Sequence, residues 1–218
     1  MIFPLFCIFA IKIKNLVDMS DSKEKKTVAV FDFDGTLTTK DSLLEFVKYT
    51  CGPFALYWGL FLMSPLLVLM KLRLYPNGKV KEKFFGYYFR GWKYSDFKQK
   101  GVAFADVVDS FKRLEMVDIL NTYLERGDDV CVVTASIQEW VEPYCCRIGI
   151  LHVAGTLVEV YDNGLLTGRL KSKNCYGQEK VERFLKMMPN RDKYILHAYG
   201  DSRGDRELLA YADCAHKL

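Results

Sequence analysis

The chain has 218 residues, half of them apolar and 27% charged, with 31 lysines and arginines against 27 aspartates and glutamates. That balance excludes a disordered or fibrous chain and predicts one main core with room for a small inserted module. The basic residues are scattered through Lys71, Arg73, Lys79, Lys81 and Lys83, which argues against a nucleic-acid partner and suits a small anionic ligand.

The first ten residues (MIFPLFCIFA) are apolar, yet they lack the positive n-region and small-residue cleavage site of a secretory signal and are too short to span a bilayer. Met19 is followed by a polar run and then by the first strand-like segment, so translation is expected to start at Met19, with residues 1–18 a non-native or disordered extension. The seven cysteines form no C-x-x-C pair and no zinc spacing with the three histidines. They are expected to be reduced thiols of a cytoplasmic protein, with Cys145 and Cys146 in an apolar helix and the histidines structural.

Val28–Phe33 (VAVFDF) reads as a buried strand running into Asp-Gly-Thr, and Ser42-x-x-Glu45 matches a capping box that starts a helix. No charge occurs from Tyr49 to Met70, and the following stretch to about Leu114 is basic, aromatic and helical in period, so residues 45–112 read as a helical insertion. Met116–Arg126 is an amphipathic helix stopped by Gly127, and Asp129–Val133 is a second buried strand. Ile137–Ile148 reads as a helix. Leu157–Tyr161 and Leu165–Leu170 flank Asp162-Asn163-Gly164, a strong hairpin signal. Gln178–Met188 is a helix, Tyr194–Tyr199 a third buried strand, and Arg206–Tyr211 a closing helix. The alternation predicts an α/β fold: a Rossmann-like, mostly parallel sheet flanked by helices, with core segments 26–44 and 113–218 and an inserted α-helical module at 45–112.

Each of the three apolar strands ends in a polar cluster: Asp32-Phe33-Asp34-Gly35-Thr36, Thr134-Ala135-Ser136, and Gly200-Asp201-Ser202-Arg203-Gly204-Asp205. Ligands of open parallel sheets bind beyond the carboxyl ends of the strands, where these clusters would meet. Four converging carboxylates, Asp32, Asp34, Asp201 and Asp205, would repel one another without a cation, and an all-oxygen donor set favours Mg²⁺. An ionised Asp32 is a usable nucleophile toward phosphorus, and Asp34, two residues on, is placed to protonate a leaving alkoxide. Thr134, the Ala135 backbone behind it, and Lys180 could hold phosphate oxygens.

These residues resemble the haloacid dehalogenase superfamily of phosphatases, in its phosphoserine-phosphatase-like branch (subfamily IB). Asp32-Phe-Asp34-Gly-Thr-Leu-Thr is similar to the first motif, Thr134 to the second, Lys180 to the third and Gly200-Asp201-Ser-Arg-Gly-Asp205 to the fourth. The resemblance, which runs from about Val28 to Ala212, implies a magnesium-dependent phosphatase working through an aspartyl-phosphate. In it Asp32 is the nucleophile and Asp34 the acid/base, Thr134 and Lys180 hold phosphate, and Asp32, the Asp34 carbonyl and Asp201 hold the metal with Asp205 in support. It also implies that 45–112 is a cap over a small-molecule phosphate ester. Asp41 has the spacing of the acidic residue that holds the phosphoserine ammonium, although capping the helix at Ser42 is the expectation for it. Gly204 departs from the asparagine of many phosphoserine phosphatases, which puts phosphoserine itself in doubt.

A phosphotransferase or mutase using the same aspartyl-phosphate, or a non-catalytic phosphate-binding regulator, is the alternative function. The uncharged stretch 49–70 is long enough to span a bilayer, but a crossing would separate Asp32 from Thr134, Lys180 and Asp201. It is therefore expected to be a buried cap core or a homodimer contact, with a peripheral membrane contact as the remaining option, and Pro65 is expected to break or kink a helix there.

Overall fold

The computed structural model describes residues 25–218, and the expectation for residues 1–18 lies outside them. Five strands form one wholly parallel sheet in the order β3-β2-β1-β6-β7: β1 Lys26–Phe31, β2 Asp129–Ile137, β3 His152–Thr156, β6 Tyr194–Gly200 and β7 Cys214–Lys217. The sheet is an α/β sheet because its central strand is covered on both faces. Side chains alternate along β1, so Ala29 and Phe31 join one apolar layer while Val28 and Val30 join the other. That double burial is why VAVF reads as a continuous apolar run.

The larger layer takes its side chains from α1 Ser42–Cys51, α2 Pro53–Lys71, α3 Asn77–Phe89, α4 Tyr94–Val108, α5 Leu114–Glu125 and α6 Gln138–Arg147. The smaller layer is closed by α7 Gln178–Met187 and α8 Arg206–Tyr211, through Val181, Phe184 and Leu208. The predicted hairpin forms as β4 Val158–Val160 and β5 Leu166–Leu170, a separate antiparallel pair. Gly86 of α3 lies so close to the Gly168 carbonyl that a Cβ there would overlap it, which seats the hairpin against α3.

Three local expectations need correction. The cap of α1 is Asp41, whose Oδ1 accepts from Leu44 N at 3.1 Å. Ser42 is instead buried, accepting at Oγ from Trp140 Nε1 and donating to Ser136 Oγ, so the Ser42–Glu45 capping box does not form. Pro65 does not break α2, which runs through it for 19 residues. Proline removes the N–H that would bond the Phe61 carbonyl, and the Ser64 hydroxyl donates to that same carbonyl at 2.8 Å. Finally, α2 is no buried core, since Phe54 is 83% and Phe61 67% exposed.

Candidate active site

Parallel pairing brings the predicted residues to one edge of the sheet. Phe31 pairs with Val132 on one side and with Tyr199 on the other, so Asp32, Thr134 and Asp201 all emerge within two residues of a shared level. The turn after β1 has to pass close under Asp201. Gly35 makes this possible: its φ is +79°, and a Cβ there would lie within 2.3 Å of the Asp201 carboxylate. Arg113 locks the same turn by donating from Nη2 to the Gly35 carbonyl at 2.9 Å and from Nε to the Thr36 carbonyl at 3.2 Å.

Lys180 lies in the first turn of α7, where a lone lysine would ordinarily be solvated, yet it is fully buried. Its Nζ lies 2.7 Å from Asp32 Oδ1 and 2.5 Å from Asp205 Oδ1. Burial works against its charge, but the two carboxylates outweigh that and raise its pKa, so it stays an ammonium. Burial likewise opposes ionisation of Asp205. The Lys180 charge and the Ser202 backbone and hydroxyl donors still hold its pKa below the ordinary value. Burial pushes Asp32 up to about 6, against the pull of Lys180 and with a further push from Asp205.

Asp32, Asp201 and Asp205 can each direct one oxygen into a space where all three atoms lie within 4.8 Å of one another. One lysine cannot neutralise three carboxylates, and burial together with the Asp205 charge raises Asp201 as well. The excess negative charge and the all-oxygen donors fit a hard divalent cation such as Mg²⁺. Asp205 already has Lys180 and Ser202 as partners, which suits a supporting place.

Asp34 lines the same cavity as Asp32 and Asp201. Its Oδ1 accepts from Ser42 N at 2.8 Å and its Oδ2 from the Ser136 hydroxyl. Burial, then the Asp41 charge, push its pKa up to about 7, against those two hydrogen bonds. Thr134 is buried and Ala135 lies beside it in the cavity wall, while Asp41 combines the helix cap with a place on the same wall. The cavity is about 640 Å³.

Sequence reasoning missed two residues. Arg113 carries no motif, and only the tertiary contact gives it a role. Lys81 read as one of several scattered basic residues, but it reaches from α3 to donate to the Ala135 carbonyl at 2.5 Å. Burial lowers its pKa, while Asp34, Asp41 and Asp32 pull it back up, so its ammonium faces the acidic cavity. Lys81→Met is expected to raise KM for a phosphate ester about tenfold with kcat little changed, because its ammonium bonds the Ala135 carbonyl and not the Asp32 carboxylate; steady-state kinetics checks this split.

A carboxylate paired with a buried lysine at the carboxyl edge of a parallel sheet, with a second acid in the same cavity, is an arrangement suited to hydrolysis. The chain belongs to the haloacid dehalogenase-like hydrolase family, which it matches over residues 29–210. It is 33% identical over 187 residues to the protein CicA of Caulobacter vibrioides, covering 85% of this chain and 83% of that one. Among solved structures it resembles a protein of unknown function from Bordetella pertussis Tohama I, with a TM-score of 0.74 at 22% identity over 86% of this chain and 87% of the other. A substrate-bound phosphoserine phosphatase matches with a TM-score of 0.64 at 15% identity, covering 89% of this chain and 87% of that one. At these identities the two structures speak to the fold.

Proposed function

We propose that this protein is a magnesium-dependent phosphomonoester phosphatase that works through an aspartyl-phosphate on Asp32. The observation that carries the reading is the joining of Asp32 to Lys180, 2.7 Å away, with Asp201 and Asp205 beside it and Asp34 in the same cavity. Asp32, Asp201 and the Asp34 carbonyl would hold Mg²⁺, with Asp205 supporting. The ion supplies positive charge against the phosphate dianion and keeps Asp32 ionised.

Asp32 attacks phosphorus, and the bond from phosphorus to the ester oxygen breaks. Asp34, held protonated near neutrality by its surroundings, gives its proton to the departing alkoxide. The resulting Asp34 carboxylate then takes a proton from the water that hydrolyses the aspartyl-phosphate, which restores both residues. Lys180 balances charge on Asp32 in each step, and the Thr134 hydroxyl and the backbone beside it receive phosphate oxygens. A Cβ at Gly204 would overlap the Tyr176 ring, so this chain fills with an aromatic the room that a side chain at 204 would need. Tyr176 lines the cavity, which favours an alcohol phosphate other than phosphoserine.

The test is phosphate release across soluble alcohol, sugar and lipid phosphates with magnesium and no added acceptor. Release supports hydrolysis; release only when an acceptor is added would assign the phosphotransferase reading instead. The acid assignment has its own check. Asp34→Asn is expected to slow turnover by about 10²–10⁴, least for leaving groups of low pKa.

The same change should stabilise the metal-free protein in a pH-dependent way. The folded pKa of Asp34 is raised from 3.8 to about 7, so in the wild type stability is lost as pH climbs through that window. Asparagine stays neutral. The midpoint of the variant should match wild type below about pH 4 and exceed it above pH 7, read by thermal denaturation.

A further inference from the structure

Among the described residues nothing covers one flank of α2, and the opposite flank adjoins the catalytic cavity. Phe54, Trp58, Phe61, Leu62, Val68 and Leu69 fall within one stripe of the helix and are all exposed. On the other side Leu56 and Gly59 are buried. The Tyr88 hydroxyl donates to the Ala55 and Leu56 carbonyls at 2.9 and 3.2 Å, and a Cβ at Gly59 would overlap it. A third row, Leu60, Leu67 and Met70, forms an apolar wall of the cavity that holds Asp32 and Asp34. A helix apolar on every side is normally covered on every side, and the described residues cover one half of this one.

The charge around it has one sign. Between Glu45 and Glu82 the chain has no acidic residue, while Lys48, Lys71, Arg73 and Lys79 are basic and lie outside the catalytic cavity. At the carboxyl end of α2, Lys71 and Arg73 meet Arg203 and Arg206 around a second cleft of about 620 Å³, where Glu207 is the one carboxylate. That cleft shares Met70, Asn77 and Tyr176 with the catalytic cavity.

We propose that the bare flank of α2 rests on an anionic membrane surface and that the substrate is a phosphomonoester bearing hydrocarbon chains. This deepens the phosphatase reading above and rests on it. The basic collar meets anionic headgroups, the exposed aromatic and aliphatic side chains enter the interface, and the apolar wall leads a chain-bearing phosphate toward Asp32. A second copy of this chain is the weaker occupant, because α2 itself has no carboxylate to pair with the partner's lysines and arginines. A crossing is also excluded: α2 is 19 residues long, enough in length and composition to span, but it is clamped sideways to α3. The chain before it and the chain after it build one site.

The experiment co-sediments the full chain with vesicles of phosphatidylcholine alone, or of phosphatidylcholine mixed with phosphatidylserine. It also compares phosphate release from dioleoyl phosphatidic acid in those vesicles with release from glycerol 3-phosphate in solution. Binding is expected with the anionic vesicles, weakened by high salt. Phosphatidic acid should be turned over at least about tenfold faster than its chain-free counterpart. Phe61→Glu and Phe54→Glu, both at exposed positions, should each cut vesicle binding about tenfold; p-nitrophenyl phosphate turnover serves as the control for an intact site. Wild-type protein that stays in the supernatant with anionic vesicles overturns the proposal. So does a dimer that Phe61→Glu dissociates in a protein indifferent to lipid, which assigns the flank to a second copy. Vesicle binding with no hydrolysis of any ester, soluble or lipid, would refute the phosphatase reading and leave the docking surface in place.

Discussion

Asp32→Asn is expected to reduce phosphate-ester turnover to background, a loss of about 10⁴-fold or more, the range in which removal of an attacking side chain falls. The amide has the shape of the carboxylate but cannot give the acyl-phosphate, so the covalent route closes whatever else survives. The structure adds a second consequence that the chemistry alone does not state. Lys180 is buried and shares its ammonium between Asp32 and Asp205. In the variant one of two counter-charges is gone, and a buried ammonium left half-compensated is costly. The Asp205 partner and the amide oxygen at position 32 still accept from it, so the chain should still fold. Steady-state kinetics and thermal denaturation together test this, and substantial steady-state turnover by the variant would rule out the covalent mechanism.

Removing magnesium is expected to have the next largest effect, about 10³-fold in rate, since neutralising charge on a transferring phosphoryl group is worth several kcal/mol. The physical reason is local. Asp32, Asp201 and Asp205 share one lysine, and a phosphate dianion must approach that same group of charges. Magnesium should restore activity after chelation, and calcium should do so poorly because its larger, looser shell disturbs in-line attack. A readout independent of turnover exists. Saturating magnesium should raise the thermal midpoint, by about 2.7 kcal/mol of linkage at a hundredfold excess over Kd, and Asp201→Asn should abolish that rise. The sign with pH follows from the raised pKa of Asp201: protons compete for the site, so the magnesium-induced rise should shrink as pH falls. Full activity in excess chelator would dismiss the metal assignment.

Much of this site is legible in the chain because the relevant signals are local. A buried parallel strand is a short apolar run, and the loop at its carboxyl end is polar, so β1, β2 and β6 and the clusters that follow them can be found by reading along the sequence. Strands β3 and β7 escaped because His152–Thr156 and Cys214–Lys217 are short, and on the described chain most of their residues are half-buried or exposed. An edge strand lacks the continuous apolar signature of a central one.

Five features were decided by the tertiary structure. Lys180 read alone is a solvated helix lysine; only the placement of α7 against the sheet puts its ammonium between Asp32 and Asp205. Lys81 and Arg113 carry no motif, and each gains its role by reaching a carbonyl 54 and 77 positions away. Ser42, a plausible cap by sequence, turns inward because Trp140 and Ser136 lie opposite it, leaving the cap to Asp41. For α2, apolar composition set the helix but could not say which half would be covered. Hydrophobicity along a chain records how much surface prefers to leave water, whereas the neighbours that cover it, here Tyr88 on one flank and none among the described residues on the other, are assigned only when distant segments pack.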